Sequence, residues 1–108
     1  VDRWGQPHRG RSGLSLVGAV VGATWPEQAK RLRAALPATP FLVPGYGAQG
    51  ATAADVAAGF LPGGRGAVVN ASRSVIFPTL KSPDAPWRDA VVAAARAAQE
   101  ELDAAVRR

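Results

Sequence analysis

Short apolar runs and longer amphipathic stretches alternate along the chain. The apolar runs have the length of strands and lie at residues 16–21, 41–43 and 67–70. Apolar residues recur at helical spacing in the segments that follow, which predicts helices at about residues 24–36, 52–60 and 87–106. Strands that alternate with helices in this way are typical of right-handed crossovers and a parallel sheet. The pattern therefore predicts an α/β fold.

Polar residues before the first two helices predict how these helices begin. Thr24 and Glu27 have the spacing of a capping box, in which the Thr24 hydroxyl accepts the Glu27 N–H and the Glu27 carboxylate reaches back. Thr52 is predicted to open the second helix as its N-cap. The cations of the first helix are predicted to point largely outward; they are Lys30, Arg31 and Arg33.

The predicted elements form one incomplete domain. Residues 1–13 are polar and rich in glycine, and they are predicted to be a loop or the end of a preceding element. Residues 14–108 hold three β/α units. Helices on one side of three parallel strands cannot cover both faces of the sheet, although all-parallel sheets are normally buried on both. Together with a first residue that is Val and not Met, this favours an excerpt of a larger protein.

Composition narrows the possible classes of site. The 108 residues include no Cys and one His, His8, so a zinc cluster or another metal site is not expected. The net charge of +5 raises the possibility of nucleic-acid binding. However, the thirteen basic residues are scattered, without a block of like charges, so no nucleic-acid partner is expected. Only Arg73 among them is predicted to have a specific task.

The start of the chain has a second possible interpretation. Arg3, Arg9 and Arg11 precede an apolar run at residues 14–23, as in a signal peptide. This run leads directly into a helix-start signal and equally fits a buried parallel strand, which we favour. No run approaches the roughly 18 to 20 apolar residues that span a bilayer. We therefore expect a soluble protein without a membrane partner.

Two neighbouring strand ends carry the residues with binding chemistry. The first, residues 41–50, reads Phe-Leu-Val-Pro-Gly-Tyr-Gly-Ala-Gln-Gly, and its glycines allow sharp turns and a close approach to a ligand. The second, residues 66–74, reads Gly-Ala-Val-Val-Asn-Ala-Ser-Arg-Ser and offers hydroxyls, backbone N–H groups and one cation. Adjacent parallel strands with such ends form a phosphate cradle in many (β/α)₈ barrels. The sequence therefore predicts a phosphate site.

These segments, with residues 17–27, resemble the carboxyl-terminal part of orotidine 5′-phosphate decarboxylases, in the bacterial branch of somewhat longer chains. The run Pro-Gly-x-Gly-Ala-Gln-Gly, followed by Ser-Arg-Ser at the next strand end, carries the resemblance. It covers residues 14–78 well and the last helix by position only. The resemblance implies that the chain holds about strands six to eight, with their helices, of a (β/α)₈ TIM barrel.

The resemblance assigns roles to four residues. Gln49 matches the glutamine of a mobile loop that grips the substrate phosphate, and Arg73 matches the arginine that pairs with it. Pro44 matches a proline that lines the pyrimidine pocket. Ser72 replaces a small residue, often Gly, whose backbone N–H faces the phosphate, so its hydroxyl has no assigned role. Without the motif, these residues would be read as turn or surface residues.

The activity that the resemblance implies is decarboxylation of orotidine 5′-monophosphate (OMP) to uridine 5′-monophosphate (UMP) in pyrimidine biosynthesis. It implies no cofactor or metal, a cytoplasmic location, and a homodimer with active sites near the interface. The family's catalytic Lys/Asp array lies on earlier strands and is expected upstream of this chain. Lys30 and Lys81 do not match it. We therefore assign no catalytic residue here and expect the chain alone to be inactive.

Two alternatives stay open at this point. One is another phosphate-binding TIM barrel, such as a sugar-phosphate epimerase, whose terminal loops could look similar. The other is a non-catalytic module that binds anions or nucleic acid. Steep loss of binding with salt would identify nucleic-acid binding.

Overall fold

The structure is a computed structural model and describes residues 1–47, 49–78, 84 and 86–107. A short helix, α1 (Asp2–Gly5), and a 3₁₀ turn (Gln6–His8) come first. The remaining elements, in chain order, are β1 (Ala19–Val20), α2 (Pro26–Ala35), β2 (Phe41–Val43), α3 (Ala53–Ala57), β3 (Ala67–Val69), α4 (Ser72–Ile76) and α5 (Trp87–Val106).

The three strands form a parallel sheet in the order β1-β2-β3, as the alternating pattern predicts. The first strand is shorter than expected. Ser15 and Leu16 donate their backbone N–H groups to Ala38 and His8, neither of which belongs to a strand. Regular pairing with β2 therefore begins only at Ala19, opposite Phe41.

The two faces of the sheet differ in burial. Phe41 and Val43 point towards the helices and are almost fully buried, together with Val56 of α3. On the last helix, Ala98, Leu102 and Ala105 pack against this core. The opposite face shows a row of apolar residues in register across the strands, with exposed fractions of 69%, 43% and 67% for Val20, Leu42 and Val68. We call these three residues the open row.

Helix starts agree with the sequence at Thr52 but not at Thr24. Thr52 accepts the Asp55 N–H, and the Asp55 carboxylate accepts the Thr52 N–H at 2.8 Å, which lowers the pKa of Asp55. In contrast, α2 begins one residue later than the capping box requires, with Trp25 as its N-cap. Glu27 pairs instead with Lys30 at 2.7 Å.

The largest departure from the sequence interpretation is Arg33, which was expected to point outward but is only 7% exposed. Its guanidinium donates four hydrogen bonds of 2.8–2.9 Å to backbone carbonyls and lies 3.6 Å from the centroid of the Phe41 ring. The acceptors belong to Leu36, Thr39, Gly59 and Gly66. Because these carbonyls converge from three chain segments, the five-donor fork of arginine satisfies them together.

Burial lowers the pKa of Arg33. The prediction that only Arg73 among the cations has a specific task is therefore wrong, because Arg33 has a structural one.

Within the part of the chain that the structure describes, no helix combines the length and apolar character that crossing a membrane requires.

We expect Arg33→Met to lower the free energy of unfolding by about 3 kcal/mol, because the buried carbonyls would lose their hydrogen-bond donor. The matched change Arg31→Met removes an exposed cation from the same helix and should alter stability by no more than about 0.5 kcal/mol. Urea denaturation of both variants measures the difference. Equal effects would contradict a supporting role for Arg33.

We also expect the chain, purified by itself, to self-associate at micromolar concentration. The open row exposes apolar surface between two sheet edges that have no partner strand among the described residues. Leu42→Lys should weaken this association, whereas Val92→Lys, at an exposed position of α5, should not. Analytical ultracentrifugation measures the effect. A monomer with a single sharp thermal transition would show instead that the open row needs no cover.

Candidate functional site

The loop after β2 folds back on itself. Gly45 and Gly47 have φ angles of 109° and 73°, which side-chain-bearing residues rarely adopt. The Gly47 N–H donates to Ala51 at 3.0 Å, and the Ala51 N–H donates to Gly45 at 3.2 Å. A Cβ atom placed on Gly45 would lie 3.4 Å from Oε1 of Gln49. The Gln49 side chain therefore lies over the base of its own loop.

The segment after β3, where the sequence predicts no helix, contains the short helix α4, and Ser72 and Arg73 form its first turn with exposed side chains. The Ser74 hydroxyl is buried and has no hydrogen-bond partner among the described residues. It lies 3.4 Å from the position that a Cβ atom on Gly47 would take. Glycine at position 47 therefore lets the two strand-end loops approach each other.

A cavity of about 80 Å³ lies between these loops. It brings together all four residues that the sequence singled out, Pro44, Gln49, Ser72 and Arg73. The remaining lining residues are Gly45, Tyr46, Asn70 and Ala71. The lining residues carry two amides, two hydroxyls and one guanidinium, and none of the described ones carries a carboxylate. This donor set suits a small anion. That the anion is a phosphate stays a prediction.

Tyr46 is a lining residue that the sequence analysis did not assign. Its phenol donates a hydrogen bond of 2.6 Å to Oε2 of Glu101 on α5. Burial, and then this hydrogen bond, raise the pKa of Tyr46 to about 12. Nothing local in the sequence indicates the contact, because the partners are 55 positions apart.

Neither of the two lysines in the chain is among the described residues that line this cavity. Lys30 is exposed on α2 and paired with Glu27. Lys81 lies outside the described residues. The described residues include no cluster of His, Asp and Glu that could hold a metal ion.

Parallel β/α units with a polar cavity at neighbouring strand ends are the architecture of part of a (β/α)₈ barrel. Comparison with known proteins identifies the family to which this barrel belongs. No family model matches the chain. The orotidine 5′-phosphate decarboxylase of Rhodopirellula baltica is 47% identical over 96 residues, which are 83% of this chain and 32% of that protein. The enzyme of the same name from Caldicellulosiruptor bescii is 39% identical over 98% of this chain and 35% of its own length.

Solved structures agree with the sequence relatives. A Leishmania donovani UMP synthase superposes with a TM-score of 0.66 and 34% identity, covering 98% of this chain and 21% of that one. A putative orotidine-monophosphate decarboxylase from Toxoplasma gondii gives a TM-score of 0.60 and 31% identity, covering 85% of this chain and 30% of that one. The resemblance to the orotidine 5′-phosphate decarboxylase family and the partial TIM-barrel fold are thus confirmed. The chain spans about a third of the length of the curated relatives it matches.

Proposed function

We propose that the chain is the phosphate-binding, carboxyl-terminal portion of an orotidine 5′-phosphate decarboxylase, which converts OMP to UMP in de novo pyrimidine biosynthesis. The observation that carries the proposal is that Gln49 and Arg73, at the ends of two adjacent strands, line one small cavity. Their side chains supply an amide and a guanidinium, the donors that a phosphate dianion requires.

Each residue of the cavity has a proposed task. Arg73 pairs with the phosphate charge, and Gln49 donates its side-chain amide from the loop above Gly45. Ser72 presents its backbone N–H at the end of β3. Pro44, at the end of β2, borders the pyrimidine. The cavity volume of about 80 Å³ suits a phosphate group and not a whole nucleotide, so the base would lie beyond it.

In the proposed reaction the bond between the pyrimidine and its carboxylate breaks, carbon dioxide leaves, and the carbanion is protonated. The residues of this chain take no part in that proton transfer. They hold the remote phosphate, and the binding energy realised there helps to keep the loop closed over the substrate during the reaction. The Lys/Asp array for the chemical step is proposed to lie outside this chain. No cofactor or metal is needed for these tasks.

The intact protein is further proposed to be a cytoplasmic homodimer, as the family resemblance implies. The two alternative functions are less well supported. The relatives described above are named as decarboxylases and not as epimerases. Arg73 lies on the cavity wall, whereas a nucleic-acid interface would require a broad basic surface.

We expect Arg73→Ala, in the complete barrel that contains this chain, to lower kcat/KM for OMP by about 30- to 1000-fold, or about 2 to 4 kcal/mol. Activity on orotidine, which lacks the phosphate, should change little. Gln49→Ala should act in the same direction. Arg96→Ala, which removes an exposed cation of α5, serves as the matched control and should leave both activities unchanged. Equal losses on OMP and orotidine would contradict the phosphate assignment.

The 108 residues by themselves are expected to have no decarboxylase activity, because the proposed proton donor is not among them. Release of carbon dioxide from carboxyl-labelled OMP measures this directly. Turnover by the purified chain, abolished by Arg73→Ala and therefore not due to a contaminant, would contradict our placement of the catalytic array.

A further inference from the structure

Tyr46 belongs to the loop that follows β2 and carries Gln49, which we call the Gln49 loop. Although it is a loop residue, Tyr46 is only 8% exposed. The flanking glycines turn the backbone so that the ring leaves the loop on the side of α5. There the phenol donates to the Glu101 carboxylate at 2.6 Å. A hydrogen bond to a charged acceptor is stronger than one between neutral groups. The loop therefore has a direct connection to the last helix.

The ring of Tyr46 belongs to the buried core but lies at its edge. An open, largely apolar cleft of about 390 Å³ adjoins it, with Phe60, Ala98 and Leu102 among its lining residues. Without the hydrogen bond, only apolar contacts would hold the ring at the wall of this cleft. The helix that carries Glu101 is itself held, because Ala98 and Leu102 pack against the core. The loop is thus attached to a helix that packs against the core.

The opposite side of the same loop forms the candidate site. Tyr46 and Gln49 both line the 80 Å³ cavity, and Gln49 lies against Gly45, the residue next to Tyr46. The far end of the loop is fixed by the Thr52 capping box. A change in the position of Tyr46 would therefore move Gln49 relative to Arg73.

We propose that Tyr46 and Glu101 are a positioning pair, which holds the Gln49 loop in the shape that grips the phosphate. The inference rests on the proposed function, because it assigns the pair to the same site. Neither residue takes part in the chemical step. Their effect is transmitted to Gln49 through Gly45, the residue next to Tyr46, against which the Gln49 side chain lies.

The test uses the complete barrel and compares kcat/KM for OMP with that for orotidine. Tyr46→Phe should lower the preference for OMP about tenfold, as expected for loss of one positioning hydrogen bond. Glu101→Leu should have the same effect, and the double variant should lose no more than either single variant. Glu101→Gln keeps an acceptor oxygen and should retain most of the preference. Glu100→Leu, at an exposed neighbouring position, is the matched control and should retain all of it.

Several outcomes would overturn the positioning pair. These are equal losses on OMP and orotidine, an unchanged preference in Tyr46→Phe, or additive losses for Tyr46→Phe and Gln49→Ala. A merely structural contact would lower thermal stability without changing the preference.

Failure of the proposed function is recognised separately, in the unsubstituted protein, by absent decarboxylation or equal activity on OMP and orotidine. Hydrogen exchange then tests the pair without reference to activity. The amides of Gly47, Gly50 and Ala51 are hydrogen-bonded within the loop. Tyr46→Phe should accelerate their exchange about tenfold, and Glu100→Leu should not. Unchanged exchange in Tyr46→Phe would overturn the pair in this case.

Discussion

Parallel pairing of β2 with both of its neighbours determines where every functional group of this chain lies. Parallel strands bring their carboxyl ends to the same edge of a sheet, so the loops that follow β2 and β3 must meet there. The meeting is close because Gly47 has no side chain to contact Ser74. The 80 Å³ cavity is the space that remains between the loops. This pairing brings Gln49 and Arg73, which are 24 positions apart, to the same cavity.

The opposite ends of the strands have a different task. Arg33 lies where β2 and β3 begin and connects the carbonyl of Gly66, before β3, to the segments that surround Phe41. A buried cation is costly unless its donors are satisfied. Here four carbonyls satisfy them, and the same carbonyls would lack a donor if the arginine were removed. The two ends of the sheet thus divide their roles as in other barrels, with the proposed binding site at the carboxyl end and a stabilising contact at the amino end.

The features that the sequence predicted correctly depend on local interactions. The β2 strand is a continuous apolar run between Pro40 and Pro44, and the Thr52 cap involves residues three positions apart. The Gln49 loop was also recognisable, because its glycines and the family motif lie in one short segment. Such signals can be read without knowing the rest of the fold.

The features that were predicted wrongly, or not at all, depend on distant partners. Arg33 has the spacing of an outward residue, and only the carbonyls of Gly59 and Gly66, 26 and 33 positions away, explain why it is buried. The Tyr46–Glu101 contact has the same character. At the start of α2, two signals compete one residue apart. The capping box would make Thr24 the N-cap, whereas Pro26, which has no N–H to donate, favours the first helical position and makes Trp25 the N-cap. Periodicity and capping rules cannot resolve such cases.

The 55 positions that separate Tyr46 from Glu101 also have a consequence for synthesis of the protein on the ribosome. A ribosome that adds about 5 to 20 residues per second needs about 3 to 11 s to proceed from Tyr46 to Glu101. Late in that interval β2, β3 and the Gln49 loop have been synthesised, but the helix that carries Glu101 is still incomplete. The nascent chain therefore passes through a stage in which the loop has its glycines and its glutamine but not its final support. The loop therefore matures only after α5 has been synthesised, although its own residues are made several seconds earlier.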